Sequence, residues 1–534
     1  MRKIVGLIFC LCTCFGCFLP SCNSTNANDH LPTPIITCES VRISGKFIGF
    51  NDFKKNKNFK TINIYMSYPL TGRTERIEVE INGDETFSLE IPIETSPAFG
   101  YIKLSAQNNY VFSLVSGQET IFDIYFKNER LYIKRIDGPD ILFGKIDSWY
   151  DTFGKALAAD PLGLVAWGHY DLDTLKKFMA APKEYIPFAL KHDLENRLKI
   201  LRKDKIIPEK ALGKFDKEIQ LMRIPQFIHF SGDIWNMYTT FYRIENKITE
   251  IEIKGKLDSA TYIPPSPDIS YWIFLKEFNL NNPNYLYTEK FSYIIQMLLE
   301  NETLSIPSIG ECSLDNWMRQ TKDILSGLVG FEKGIFYDVL VCNAYVKQFN
   351  DEMKPLSNRQ IQNINEYYKG GEIEKILLRE NEKIMMLDKN RHQTIINSTP
   401  DVGEKQLLNT IISKHNGKVI ILDYWATWCG PCLDAIFEFR EMKAKYINKD
   451  VVFVYITTES SPKETWAEKI KGIGGEHFYL EQEEWEYLLD NFNFDAIPTY
   501  QFYNQEGKLQ EQFTGRLSPE EMGQKIENLL SKFH

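Results

Sequence analysis

The spacing of hydrophobic residues changes along the chain and divides it into three regions. From residue 39 to 138, apolar and polar residues alternate in short runs, as at 41–48 and 61–66. From 139 to 395, apolar residues recur at intervals of three and four. From 396 to 534, short continuous apolar runs follow one another between helical patterns. Alternation predicts strands and the longer period predicts helices. We therefore predict a multidomain protein with an N-terminal all-β sandwich-like domain, a central all-α domain and a C-terminal α/β domain.

The first region carries a strong turn signal. Residues 76–81 and 87–91 alternate, and Asn82-Gly83-Asp84 lies between them. Asn-Gly between two alternating runs predicts a β-hairpin. Nothing in this region forms a catalytic constellation, so we expect a packing or docking module.

The N-terminus has the pattern of an export signal. Arg2 and Lys3 precede an apolar run over residues 4–19, which is too short for a stable membrane span. The run ends in Leu19-Pro20-Ser21-Cys22, which resembles the bacterial lipoprotein processing box, in which the cysteine becomes the lipidated first residue. We predict a signal peptide over 1–22, lipidation of Cys22 and a polar linker over 23–38. A plain signal peptide cut nearby is the alternative.

Charge and cysteine content narrow the function. The net charge of −10 argues against a nucleic-acid surface. Outside the signal peptide, five cysteines remain, which is too few for a disulfide framework. They are Cys38, Cys312, Cys342, Cys429 and Cys432. Cys312 and Cys342 either pair with each other or are buried free thiols.

The chemistry of the chain is concentrated in its last region. A buried strand over 417–425 is followed by Trp428-Cys429-Gly430-Pro431-Cys432 and then by a helical pattern. A second strand covers 451–457, and Ser461-Pro462-Lys463-Glu464 has the form of a helix capping box. After another helical pattern come Ile497-Pro498-Thr499, two strands and a last helix that opens at residue 518.

This order of elements, with the two motifs, resembles the thioredoxin superfamily over about residues 400–534. Within it the region is similar to the membrane-tethered TlpA/ResA-like thiol-disulfide oxidoreductases. The whole layout resembles Bacteroidetes-type lipoproteins with an N-terminal β domain. The resemblance implies a thioredoxin fold for residues 396–534.

The resemblance also implies catalytic roles. Cys429 lies where a strand ends and a helix begins, so the positive helix end stabilises its thiolate. In the thioredoxin pattern the first cysteine is exposed and attacks the substrate disulfide, which is the role of Cys429, and Cys432 resolves the mixed disulfide. Asp423 occupies the position of the buried acid of thioredoxin, which implies that it accepts the proton of Cys432 through water. A hydrogen-bonded aspartate at the end of the strand, without a role in proton transfer, is the alternative.

Further residues of the motifs are expected to meet the substrate. Gly430-Pro431 is the pair found in the reducing thioredoxin itself. Pro498 matches the cis-proline beside the cysteines, and the backbone of Ile497 would pair with the substrate chain. Trp428 would flank the active surface. We expect Glu438, Glu459 and His477 to lie on a solvated face.

Three other roles of the cysteine pair fit the sequence less well. A zinc site would need a second ligand pair, which the chain lacks; a closed structural staple and a peroxidase fit the setting less well. We expect a periplasmic, lipid-anchored reductase with no cofactor, disulfide-containing extracytoplasmic proteins as substrates and a membrane-embedded electron donor. Alternatives are a binding or assembly lipoprotein in which redox activity is secondary, and an oxidant or isomerase.

Overall fold

The computed structural model describes residues 31–51, 61–105, 108–127, 130–158, 195–203, 205–228, 268–352, 354–389 and 393–531. The order of an all-β region, a helical region and an α/β region confirms the predicted fold class. The predicted signal peptide and the lipidation site Cys22 lie outside the described residues. Among the described helices, none combines the length and apolar character needed to cross a bilayer. The residue limits of the domains stay predictions.

The N-terminal region is a two-sheet sandwich. Its strands are β1 Ile35–Ile36, β2 Ser40–Ile48, β3 Thr61–Tyr68, β4 Arg73–Glu80, β5 Thr86–Pro92, β6 Thr95–Ser96, β7 Ala98–Ser105, β8 Asn108–Leu114, β9 Thr120–Lys127, β10 Arg130–Asp137 and β11 Phe143–Lys145. One sheet has the order β10-β9-β2-β5 and the other β11-β8-β7-β3-β4. Their inner faces share one apolar core, which includes Ile43, Phe47 and Phe122. All pairs are antiparallel except β2 with β9.

The predicted hairpin at Asn82-Gly83 is wrong. Strand β4 pairs with β3, whereas β5 pairs with β2 in the other sheet. The turn therefore leads from one sheet to the other. A two-residue hairpin turn on Asn-Gly needs positive φ at both residues. Here the residue with positive φ is Glu85, at 65°.

Part of the predicted linker is docked on the sandwich. Strand β1 pairs with β6, and the backbone N–H of Cys38 donates to a carboxylate oxygen of Glu372 at 2.6 Å. The hydroxyl of Tyr287 donates to the carbonyl of Leu31 at 3.1 Å. Residues 31–38 are thus held by both the sandwich and the helical region.

The central region is built from helices that pack into one large apolar core and into a smaller one shared with the sandwich. They are α1 Asp147–Ala158, α2 Glu195–Lys203, α3 Glu209–Ile228, the 3-10 helices Ile269–Phe278 and Pro283–Tyr287, α4 Lys290–Glu300, α5 Leu314–Val329, α6 Ile335–Lys347, the π-helical turn Gln348–Glu352, α7 Asn358–Tyr368 and α8 Glu372–Lys389. Trp272 and Trp317 lie in the larger core. Cys312 and Cys342 are not paired with each other: both are free thiols, Cys342 buried as expected and Cys312 only partly buried.

The C-terminal region is a six-stranded sheet covered by helices on both faces. The strands are β12 Thr394–Asn397, β13 Val419–Tyr424, β14 Val451–Thr458, β15 Gly475–Leu480, β16 Thr499–Tyr503 and β17 Leu509–Thr514. The helices are α9 Glu404–Ser413, α10 Gly430–Ala444, α11 Lys463–Ile473, α12 Gln482–Phe492 and α13 Pro519–Ser531. The order β12-β15-β14-β13-β16-β17 puts β13 at the centre, where every residue is buried.

The central strand β13 divides the core of this region in two. Ile421 and its face pack under α10 and α13, whereas Leu422 and its face pack against α9 and α12. Helix α10 also reaches the neighbouring region, since Phe437 packs against the helical core as well as its own. Arg76 of β4 forms an ion pair with Glu520 of α13 at 2.9 Å.

Candidate active site

The cysteine motif lies at the junction of β13 and α10. Cys429 is the N-cap of α10, and Pro431 lies in the first turn, as predicted. Proline is favoured there because its missing N–H has no partner within the helix. Cys429 and Cys432 form a disulfide, with their Cα atoms 5.3 Å apart. The structure therefore describes the oxidised state.

The start of α10 provides hydrogen-bond donors for the sulfur of Cys429. The backbone N–H of Cys432 donates to the Sγ atom of Cys429 at 3.2 Å. Unpaired N–H groups and the positive end of the helix dipole stabilise negative charge at this position. In the reduced state the same donors would stabilise the Cys429 thiolate.

The exposed part of the motif is not the sulfur itself. Trp428 is 64% exposed, whereas Cys429 is 3% and Cys432 1% exposed. The expectation of an openly exposed Cys429 is therefore wrong for the oxidised state. Its sulfur is bonded inward to Cys432, and both cysteines pack with the core under α10. Gly430 and Pro431 are exposed beside Trp428, so the surface of the motif is formed by these three residues.

The second motif lies next to the disulfide. The peptide bond between Ile497 and Pro498 is cis. The Sγ atom of Cys429 is 3.8 Å from the carbonyl oxygen of Ile497. The carbonyl of Pro498 accepts a hydrogen bond from Gly515 at 2.8 Å, which ties this segment to the end of β17. The structure thus brings Cys429, Cys432, Ile497 and Pro498 together, as the sequence predicts.

Asp423 lies in β13, on the side of the sheet that α10 covers. It is 5% exposed, and its Oδ1 atom has no hydrogen-bond partner among the described residues. Burial raises the pKa of Asp423 from the ordinary 3.8 to about 8, while the charge of Lys443 lowers it. A carboxyl with such a pKa can take up and release a proton near neutral pH.

His477 is not on a solvated face, so that expectation is wrong. It lies in β15 at 0% exposure and stacks on the ring of Tyr455 at 4.9 Å between centroids. Burial lowers its pKa to about 3, helped by the charge of Lys443. The sequence did not reveal β15, which buries His477 against β14. Glu459 is exposed and Glu438 is partly exposed, as predicted.

Two residues of the site were missed by sequence reasoning. The first is Lys443, which is buried on α10. It lies seven residues after Ile436, in the apolar stripe of that helix, and this spacing could have indicated its burial from the sequence. Ser461 does not cap helix α11, contrary to the capping-box prediction, because the N-cap residue of α11 is Pro462. Its hydroxyl instead accepts the N–H of Thr427 at 3.0 Å and bonds Thr457.

Comparison with known proteins agrees with this geometry. A family model described as a thioredoxin-like domain matches residues 408–530. Thioredoxin of Coprinus comatus is 34% identical over 59 residues, which is 11% of this chain and 56% of that protein. The thiol-disulfide oxidoreductase ResA of Oceanobacillus iheyensis is 24% identical over 139 residues, which is 25% of this chain and 71% of that protein.

A solved structure of StoA from Bacillus subtilis aligns over 21% of this chain and 83% of its own, at 20% identity and a TM-score of 0.18. The chain spans about half the length of the first curated relative it matches. The family model matches within the C-terminal region, and the predicted resemblance is confirmed there. Residues 408–530 are a thioredoxin-like domain related to the thiol-disulfide oxidoreductases of the ResA type.

Proposed function

We propose that this protein is a membrane-tethered thiol-disulfide oxidoreductase that reduces disulfides of extracytoplasmic proteins. One observation carries the proposal: the disulfide of Cys429 and Cys432 lies at the start of a helix, beside the Ile497–Pro498 peptide. The similarity to relatives named thiol-disulfide oxidoreductase supports the reaction class.

The reaction would run in two exchanges. In the reduced protein, the thiolate of Cys429 attacks one sulfur of a substrate disulfide, and a mixed disulfide forms as the substrate's other sulfur leaves as a thiolate. The thiolate of Cys432 then attacks the sulfur of Cys429 and releases the second substrate thiol. Two electrons pass to the substrate, and the protein ends in the disulfide state that the structure describes.

Asp423 would serve the second exchange. Cys432 is 1% exposed, so its proton has no direct path to bulk water. Asp423 is the buried carboxyl on the same side of the sheet, and its raised pKa suits a proton acceptor. We assign Asp423 the role of general base for the thiol of Cys432, acting through water.

The substrate would lie across the exposed part of the motif. Trp428, Gly430 and Pro431 form the surface around the disulfide, and the Ile497 carbonyl is 3.8 Å from the sulfur of Cys429. An extended substrate segment can pair with this backbone by short β-augmentation. These residues are the proposed substrate contacts.

The location follows from the N-terminal sequence. Cys22 ends a lipoprotein-like processing box, so we propose a lipid anchor in a cell-envelope membrane with the protein in the periplasm. A membrane-embedded donor would return the disulfide to the dithiol.

Reduction of insulin tests the reaction. The full chain without residues 1–22 is assayed with dithiothreitol as electron source, next to its Cys429→Ser and Cys342→Ser forms. Cys342 is a buried free thiol outside the site, so its replacement is the matched control. We expect Cys429→Ser to remove the catalysed rate and Cys342→Ser to keep it. The reductase proposal fails if wild type shows no acceleration over dithiothreitol alone.

The mixed disulfide can be observed separately. Without Cys432 the second exchange is blocked, so Cys432→Ser should accumulate a covalent adduct that dithiothreitol releases. Mass spectrometry of the adduct from extracytoplasmic extracts would identify substrates. Equal adduct formation by Cys432→Ser and Cys429→Ser would contradict the assigned order of attack.

A further inference from the structure

A row of polar side chains lies on the buried face of the sheet beneath α10. The strand register places Asp423 beside Tyr455 on one side and Tyr500 on the other, and Tyr455 beside His477. Directly opposite residues on neighbouring strands point to the same face and are close enough to interact. All four side chains are buried. The surroundings of Asp423 are therefore formed by three aromatic rings of the sheet and by the side chains of α10 that pack on them.

Helix α10 brings a lysine to this row. Lys443 is 3% exposed, and its Nζ atom donates to the hydroxyl of Tyr455 at 2.6 Å and to the carbonyl of Ile473 at 3.0 Å. The ammonium lies 4.9 Å from the ring centroid of Tyr455 and 5.5 Å from that of Phe453. Two hydrogen bonds and two aromatic faces compensate for the water that a buried ammonium loses. These contacts hold the Nζ atom of Lys443 at one place inside the core.

The groups that surround Lys443 and Asp423 in this row are uncharged near neutral pH. Burial and the Lys443 charge keep His477 neutral, with a pKa of about 3. Burial raises the pKa of Tyr455 well above its ordinary value, and it does the same for Tyr500, so both phenols stay neutral. In the row itself, Asp423 is left as the group whose charge state can change near neutral pH.

The remaining charged groups around the row lie on α10 and at its rim. Arg440 is a second buried cation on α10. Arg516 and Glu438 form an ion pair with each other close to Tyr500. The charge that acts on Asp423 is that of Lys443, which favours the carboxylate.

We propose that Lys443 is a positioning residue for the proton that Cys432 releases, because its fixed ammonium keeps Asp423 able to form the carboxylate that accepts this proton. The inference rests on the proposed disulfide exchange. Before the second exchange, the S–H bond of Cys432 breaks and its proton passes to Asp423. The resulting thiolate attacks the sulfur of Cys429, so one S–S bond breaks and another forms. Asp423 later returns its proton to solvent.

Titration of Asp423 in the oxidised full chain tests this role without any need for activity. The probe is the infrared band of the protonated carboxyl, identified as the band that Asp423→Asn removes. In Lys443→Met the midpoint of this titration should rise by roughly one pH unit or more, which is at least about a tenfold gain in proton affinity. Lys443→Arg keeps the positive charge and should restore most of the midpoint.

A matched control distinguishes the effect of the Lys443 charge from that of any other charge on α10. Lys445 is exposed on the turn that ends α10, so Lys445→Met should leave the midpoint unchanged. An unmoved midpoint in Lys443→Met, or an equal movement in Lys445→Met, overturns the proposal. If Lys443→Met does not fold, Tyr455→Phe decides, because it removes the hydroxyl that fixes the ammonium. Tyr455→Phe should raise the midpoint by a smaller amount. If it leaves the midpoint unchanged, the proposal is overturned.

The rate of insulin reduction gives the functional half of the test. Lys443→Met should need a higher pH than wild type to reach half of its maximal rate, in step with the carboxyl midpoint. A rate profile that stays in place while the carboxyl midpoint moves overturns the assigned role of Lys443. Wild type without any insulin reduction overturns the proposed function instead, so the two failures are distinguishable.

Discussion

The buried carboxyl of Asp423 should destabilise the fold in a pH-dependent way. Burial raises its pKa from 3.8 to about 8, so between these values the native chain holds one proton more than the unfolded chain. Stability from this group is complete below the unfolded value and is lost as the pH rises towards the folded value. At pH 7 the loss is about 4 kcal/mol by linkage. Above the folded value no further loss occurs.

Replacing Asp423 by asparagine removes this dependence. The amide carries no charge at any pH, so Asp423→Asn should be more stable than wild type at neutral pH. At pH 7 a carboxyl with a pKa of about 8 is mostly protonated in the fold, so Lys443 lacks a carboxylate partner in wild type as well and its contribution changes little on replacement. We expect a net increase in the free energy of unfolding of roughly 4 kcal/mol at pH 7. The difference between variant and wild type should grow by about 3–4 kcal/mol from pH 5 to pH 8.

Local hydrogen exchange is the suitable assay. A chain with several regions does not unfold in one two-state step, so a global transition would mix their stabilities. Exchange of the β13 amides, followed by mass spectrometry in the oxidised full chain, reports the opening of the site itself. Asp434→Asn is the control, since that carboxylate is 65% exposed on α10. Parallel pH profiles for Asp423→Asn and wild type would refute a protonated Asp423 in the fold.

Three further predictions concern the surroundings of the disulfide. Ser461→Ala leaves the buried N–H of Thr427 without its acceptor, so the loop before Cys429 should lose about 1–3 kcal/mol of local stability, seen as faster amide exchange there; unchanged exchange would contradict this. Phe437 packs on both cores, so Phe437→Ala should separate the unfolding of the thioredoxin-like region from that of the helical region in calorimetry. Leu433 packs with the thioredoxin-like core, so Leu433→Ala should lower the temperature of one transition. Trp428→Ala should change stability by less than about 0.5 kcal/mol but raise the KM for insulin with kcat kept, and an unchanged KM would remove Trp428 from the substrate contacts.

Local patterns predicted the parts of the site that depend on neighbouring residues. Cys429, Pro431 and the start of α10 follow from an apolar strand, a proline and a helical period within a few residues of each other. The same kind of pattern failed at Asn82-Gly83, because alternation shows which side chains face the core but not which strand is the partner. Strand β4 pairs with β3 and not with β5, and this choice depends on packing across the whole sandwich.

The contacts that tune Asp423 could not be predicted for a similar reason. His477 and Lys443 are polar residues whose burial depends on β15 and α10 meeting over β14, more than thirty residues apart along the chain. The hydroxyl of Ser461 had two possible partners, the helix after it and the loop of Thr427, and only the folded arrangement decides between them.

The docked segment around Leu31 would limit how far the protein could stand from a lipid carried by Cys22. Leu31 is held by Tyr287, and Cys38 by Glu372, so residues beyond 31 add nothing to the reach of the chain. If Cys22 carries the lipid, the nine residues to Leu31 span at most about 30 Å when fully extended. A compact chain of 534 residues has a radius of gyration of about 24 Å. The linker is thus only slightly longer than this radius, which would confine electron exchange to partners at or near the bilayer surface.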